Sequence, residues 1–223
     1  MSIRAKLYAA IVLTILGPLA TSAVALHGMS EMGDRFDQVR ERAADEAIAR
    51  EVKFAVTDVN GWQTAYGYDN GASRPIFLRS VAGLRRDLRD ADRRLSDPGE
   101  AAILRRLEGQ FREFMRLDSV AWKALAAGRT AAVRRIFLGP EIRQFEAMAA
   151  TAERLARLEA ARAAASEEAF AGARDTARKR LIAVALGAAI VIVLLLVTAN
   201  DVARMALEGE RLKGQRADGD EPS

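Results

Sequence analysis

Nineteen consecutive residues without a charge, "LIAVALGAAIVIVLLLVTA" from Leu181 to Ala199, constrain this chain more than anything else in it. At 1.5 Å per residue such a run makes a helix of roughly 28 Å, close to the hydrocarbon thickness of a bilayer. A second uncharged run, "YAAIVLTILGPLATSAVAL" from Tyr8 to Leu26, lies near the N-terminus. Gly17-Pro18 in its middle predicts a kink. Arg4, Lys6 and the small residues Ala23-Val24-Ala25 also fit a cleavable signal peptide. A retained anchor is the expectation, because the helical pattern continues past Leu26.

Local charge sets the expected orientation. Arg4 and Lys6 precede the first run, whereas Glu31, Asp34, Asp37 and Glu41 follow it against only Arg35 and Arg40. That asymmetry keeps the N-terminus in the cytoplasm. Arg174, Arg178, Lys179 and Arg180 before the second run balance Arg204, Arg211, Lys213 and Arg216 after it, so connectivity decides the rest. The expected layout is a two-pass inner-membrane protein with both termini cytoplasmic. Residues 1–7 form the cytoplasmic N-terminus, 8–26 the first span and 27–180 an extracytoplasmic region. Residues 181–199 form the second span and 200–223 a short polar tail, expected to be disordered.

Between the spans, strand alternation is absent and helical spacing is clear. Ile48, Val52, Ala55, Val59, Trp62 and Tyr66 follow one another in alternating steps of four and three. Phe77, Val81, Leu84, Leu88, Ala91 and Leu95 repeat the pattern, as do Leu104, Leu107, Phe111, Phe114, Asp118, Ala121 and Leu125 with one polar intruder. Each set makes a stripe that must be buried against other helices. Turn chemistry separates them at Asp69 to Pro75, at Ser96 to Glu100 and at Gly128, with a short amphipathic piece from Arg129 to Leu138 and a break at Gly139-Pro140. Helices are therefore expected over about 30–68, 76–95, 99–127 and 141–180. The fold class read from this is all-α, an antiparallel up-down-up-down four-helix bundle outside the membrane, its first and fourth helices continuous with the spans.

In that arrangement Trp62 and Tyr66 belong to the aromatic core near the first loop, with Gly61 and Gly67 allowing a close approach by a neighbour. Asp118 has two readings. One is a partly exposed residue on a slipped register; the other is a buried polar group paired with an arginine, Asn60 or Gln63 and fixing helix register.

Laid out this way, the chain resembles the four-helix-bundle sensor module of methyl-accepting chemotaxis proteins of actinobacterial type. Two stretches carry the likeness: "DVNGWQTAYGYD" near the end of the first helix, and "ALAAGRTAAVRRIFLGPEIRQFEAM" over residues 124–148. The order span, bundle, span extends it over about residues 1–200. Members of that family continue into a HAMP relay and a cytoplasmic signalling hairpin. Only residues 200–223 follow the second run here, so the expectation is a sensor without its own output domain. The resemblance implies dimerisation or a receptor partner in the membrane, and ligand binding at the distal end. There Arg74, Arg79, Arg129, Arg134, Arg135 and Arg143 would gather. Arginine forks suit a small anionic ligand, carboxylate or phosphate, but a solvated charged surface is the first expectation for them. Of these, Arg74, Arg79, Arg134, Arg135 and Arg143 are the candidate ligand-binding residues.

Arg178, Lys179 and Arg180 abut the second span and are expected to touch lipid headgroups. With no cysteine and a single histidine, His27, thiolate and multi-histidine metal sites are excluded. No serine elbow, phosphate loop or dinucleotide glycine pattern is present, so the chain is expected to be no enzyme and to need no cofactor. The net charge is only +4 and forms no concentrated basic face, which argues against nucleic acid. The competing functions are a structural scaffold of the envelope and a truncated receptor with no role of its own.

Overall fold

The computed structural model describes residues 3–217. Among them the chain is all-α: α1 (Ile3–Tyr68), α2 (Arg74–Arg94), α3 (Pro98–Ala126), α4 (Thr130–Ile136), a π-helical turn (Phe137–Glu141) and α5 (Ile142–Ala217). The described residues divide into two compact units, one formed by Arg35–Ala169 and the other by those up to Asp34 with those from Phe170 onward.

The Arg35–Ala169 unit is built around one hydrophobic core supplied by α1, α2, α3 and α5. The stripes of α2 and α3 are buried as their spacing predicts, from Phe77 through Leu95 and from Leu104 through Ala121. Helix α1 is rotated from expectation. Its fully buried line is Ala49, Val52, Val56, Val59, Gln63 and Tyr66, while Ile48, Ala55 and Trp62 only flank the core. Both lines share Val52, Val59 and Tyr66; the one chosen exchanges Ile48 for Ala49, Ala55 for Val56 and Trp62 for Gln63, which keeps the bulkiest ring at the edge of the core and carries Gln63 inside.

The first two turns use backbone positions that their residues favour. Asn70 and Gly71 both have positive φ, 55° and 96°, and the Gly71 N–H donates to Tyr66 O at 2.8 Å, closing α1. The Asp69 carboxylate accepts from the Ser73 N–H at 3.0 Å and so joins the end of α1 to the start of α2. At α3, Asp97 accepts from the Gly99 N–H at 2.8 Å while the Asp97 N–H donates to Glu100 at 3.1 Å, a complete capping box ahead of Pro98.

The expected break at Gly139-Pro140 is not found. Phe137–Glu141 widens into a π turn, and the Ile142 N–H donates to Phe137 O five residues back, so the helical path runs on into α5. A proline removes one donor and crowds the preceding turn; the wider turn absorbs both effects without ending the helix. The tail expected to be disordered over 200–223 is likewise helical through Ala217, and residues 218–223 lie outside the described residues. Val202, Met205, Leu207, Glu208, Glu210 and Arg211 are mostly good helix formers, which explains the continuation.

In the second unit, apolar side chains stand exposed. The helical stretch Thr130–Asn200 contains a window of mean hydropathy 3.1 with none of it buried, long and apolar enough to cross a membrane. Leu181, Leu186, Ile190, Val193 and Leu196 are among its exposed residues. The expected first span over 8–26 lies within α1, where Val12, Ile15, Leu16, Leu19 and Leu26 are exposed too. Residues 1 and 2 of the expected cytoplasmic N-terminus lie outside the described residues.

Candidate functional site

Asp118 is buried, and its carboxylate is fully engaged. Arg74, from the first turn of α2, forks onto it with Nη1 to Oδ1 and Nη2 to Oδ2, both at 2.7 Å. The Tyr66 hydroxyl donates to Oδ1 by a short bond, and Gln63 Nε2 donates to the same oxygen at 3.3 Å. Three helices thus meet on one carboxylate. Of the two readings of Asp118, the structure shows the buried, arginine-paired one.

Aromatic rings enclose this ion pair. The Arg74 guanidinium lies 4.7 Å from the Tyr66 ring centroid and 4.8 Å from those of Phe77 and Trp122. Tyr66 meets Phe77, Trp122 and Phe137 edge-on, with centroids 5.3 to 5.9 Å apart. Such contacts recover part of the solvation that a buried guanidinium gives up. Burial first, and the Asp118 charge second, push the Tyr66 phenol well above its ordinary value, so it stays a donor.

The two glycines beside these rings are different cases. A Cβ on Gly67 would lie 2.2 Å from Phe137 Cε2, so only glycine lets the π turn close onto α1. A Cβ on Gly61 would meet nothing within 4 Å. The close approach anticipated for both exists at Gly67 alone.

Glu141, the last residue of the π turn, is the polar group left incomplete. It is 2% exposed, its Oε1 accepts a short bond from Gln63 Nε2, and its Oε2 has no partner. Burial, then the nearby Asp118 charge, raise its pKa to about 8 against the partial offsets of Gln63 and Arg74. The Arg74 fork is already spent on Asp118, so Glu141 has no cation of its own. A buried oxygen without a partner costs about 1–3 kcal/mol.

A cleft of about 560 Å³ opens beside it, with Glu141 and Gln63 in its wall. Leu125, Val133, Phe137, Leu138 and Ile142 give the cleft its apolar lining; Asn60, Thr64 and Arg134 add polar groups. The π turn places Glu141, and Gly67 gives Phe137 its seat, so the backbone features that look irregular in the sequence are the ones that shape this cavity.

The arginines expected to converge on a ligand do not form one site. Arg74 is turned inward and consumed by Asp118. Arg79 is exposed and lines a shallow groove between α1 and α2 with Asp58, Trp62 and Asp87. Arg135 is exposed on α4, Arg143 is exposed on α5, and only Arg134 reaches the wall of the cleft. Trp62 flanks the core and donates its indole N–H to Asp58 at 3.0 Å, while Trp122, not singled out in the sequence, is half-buried and packs against Tyr66 and the Arg74 guanidinium. Arg178, Lys179 and Arg180 are exposed, with Lys179 paired to Asp175 at 2.6 Å.

A second polar cluster joins α3 to α5. Arg162 pairs with Glu100 by a short contact and reaches Glu159 at 3.2 Å and Asp97 at 3.4 Å. Glu159 is also buried with an unpartnered Oε2, and burial raises its pKa, but it lines none of the cavities described. That cluster reads as a clamp on helix packing. Among the described residues no group of three or more histidine, aspartate or glutamate side chains is placed to hold a metal. No known protein family, curated protein or solved structure matches the chain.

Proposed function

We propose that this chain is a membrane-bound sensory protein whose helical domain binds a small molecule in the cleft beside Glu141. The observation that carries the reading is a cavity lined by Glu141, whose buried Oε2 has no hydrogen-bond partner. Protein interiors rarely tolerate such an atom, and a bound partner is one way to satisfy it.

In this reading Arg35–Ala169 is an antiparallel up-down-up-down bundle outside the membrane, and the uncharged runs at 8–26 and 181–199 are two spans. Cross-helix pairs support the bundle: Arg94 with Asp45 at 2.7 Å for α2 on α1, and Lys53 with Glu153 at 2.6 Å for α1 on α5. Both termini are cytoplasmic, and Arg178, Lys179 and Arg180 meet the headgroups. The π turn leads directly into α5, which is unbroken from Ile142 to Ala217, so a ligand that reseats Glu141 pulls on the helix that carries the second apolar run. A homodimer, or a receptor partner in the membrane, receives that displacement.

A thermal-shift screen of the full chain in nanodiscs tests the reading, using amino acids, amines, carboxylates and phosphorylated metabolites. A ligand of the native state raises the melting temperature as its concentration grows. The expected result is a saturable rise that Thr64→Trp, which fills the cleft from the exposed side of α1, abolishes. A blank across the panel, or a rise that the filled cleft leaves intact, overturns it in favour of a scaffold or of a site elsewhere.

A further inference from the structure

We infer that the ligand of the Glu141 cleft is a primary ammonium compound with an apolar body, held by a charge-assisted hydrogen bond to Glu141; this rests on the cleft being a ligand site. The sequence points to arginines and an anion, but the structure spends Arg74 on Asp118 and puts a buried carboxyl group, Glu141, in the wall of the cleft. Every group facing Glu141 explains what it lacks. From α1 come the Gln63 amide, which already serves Oε1, and the Tyr66 phenol, which serves Asp118. From α3 comes Asp118, whose negative charge opposes ionisation of Glu141, and from α2 comes Arg74, bound to Asp118 through both nitrogens. From α4, Arg134 lines the cleft but is exposed and makes no ion pair with Glu141.

A neutral carboxylic acid leaves its second oxygen unsatisfied there, and a carboxylate leaves it both unsatisfied and uncompensated. An ammonium group supplies the donor and the countercharge together. Leu125, Val133, Phe137, Leu138 and Ile142 give one part of the wall that suits a hydrocarbon body; the remainder carries the neutral polar groups Asn60, Thr64, Asn70 and Thr130 and the exposed cation Arg134. Because Oε2 is sealed from solvent, the ammonium reaches it only when the Glu141 side chain swings toward the cleft. That swing breaks its bond to Gln63 and loosens one tie between α1 and the start of α5.

Proton balance gives the test. Glu141 is mostly protonated below about pH 8 in the free protein, and binding ionises it, so the proton leaves to solvent as the ammonium arrives. Phenethylamine, phenethyl alcohol and 3-phenylpropionate serve as probes in titration calorimetry on the full chain in nanodiscs, with empty nanodiscs as the blank. The expected result is binding of phenethylamine alone, an affinity that rises up to tenfold per pH unit between pH 6 and 8, and release of close to one proton at pH 7 by comparison of buffers with different ionisation enthalpies. Glu141→Gln, which keeps the size and an acceptor for Gln63, loses the binding and the proton release while melting at the same temperature or higher at pH 8. Phenylpropionate binding that Thr64→Trp removes would overturn the ammonium assignment and leave the cleft as a sensor site. Amine binding with no proton released, or unaltered in Glu141→Gln, would overturn the role of Glu141. A blank for all three probes here, together with a blank in the wider screen, removes the site itself.

Discussion

Arg74 and Asp118 are worth more as a pair than either is alone. Removing the arginine leaves a carboxylate that is 1% exposed with two neutral donors and no countercharge. Breaking a buried, hydrogen-bonded pair on one side costs about 3–5 kcal/mol. Arg74→Ala is expected to lower stability by that order in denaturant unfolding, whereas Arg79→Ala, whose side chain is exposed, is expected to change it by less than about 0.5 kcal/mol. Glu141 makes a different forecast. Its folded pKa, about 8, is above that of an exposed glutamate, so between about pH 5 and 8 the folded state holds a proton that the unfolded state has lost. Stability from this group is full at the acidic end of that window and falls as pH rises through it, by up to about 1.4 kcal/mol per unit. Glu141→Gln is expected to flatten the slope and to be the more stable protein at pH 8. A slope unchanged by the substitution would contradict the burial assigned to Glu141.

At the scale of elements, the steric roles of the two glycines differ in sign. Gly67→Ala drives a methyl into the Phe137 ring and is expected to cost about 1–3 kcal/mol. Gly61→Ala meets open space on an exposed helical face and is expected to stabilise by up to about 1 kcal/mol. Both are read from the same unfolding curves. The sequence makes the helices legible because α2 and α3 carry unambiguous stripes and because Asp97-Pro98-Gly99-Glu100 is a complete capping signal. It misplaces the centre of α1, since Ile48-Val52-Ala55 and Ala49-Val52-Val56 satisfy the same spacing and only the partners choose between them. Gly139-Pro140 reads as a break by local propensity, and nothing local announces that a π turn will absorb it. The candidate site was half visible. Asp118 stood out as a charge on an apolar stripe, but Glu141 and Trp122 become conspicuous only when the burial around them is known.

For the whole molecule, the absence of cysteine makes labelling simple. Under the proposed topology, Ser119→Cys, exposed on α3, reacts with a membrane-impermeant maleimide in intact cells. Ser223→Cys reacts only after permeabilisation. Equal reactivity of both, or the reverse order, would contradict the two-pass arrangement with an external bundle. In the proposed function, occupancy of the cleft moves α5 against α1. The most direct test is a paired spin-label distance between Thr57→Cys on α1 and Arg154→Cys on α5, both exposed positions, in the full chain in nanodiscs. It is measured with and without a saturating amount of the compound that most raises the melting temperature. A shifted distance distribution is expected on binding, with no shift in the Thr64→Trp background. Superimposable distributions with the compound demonstrably bound would contradict that movement.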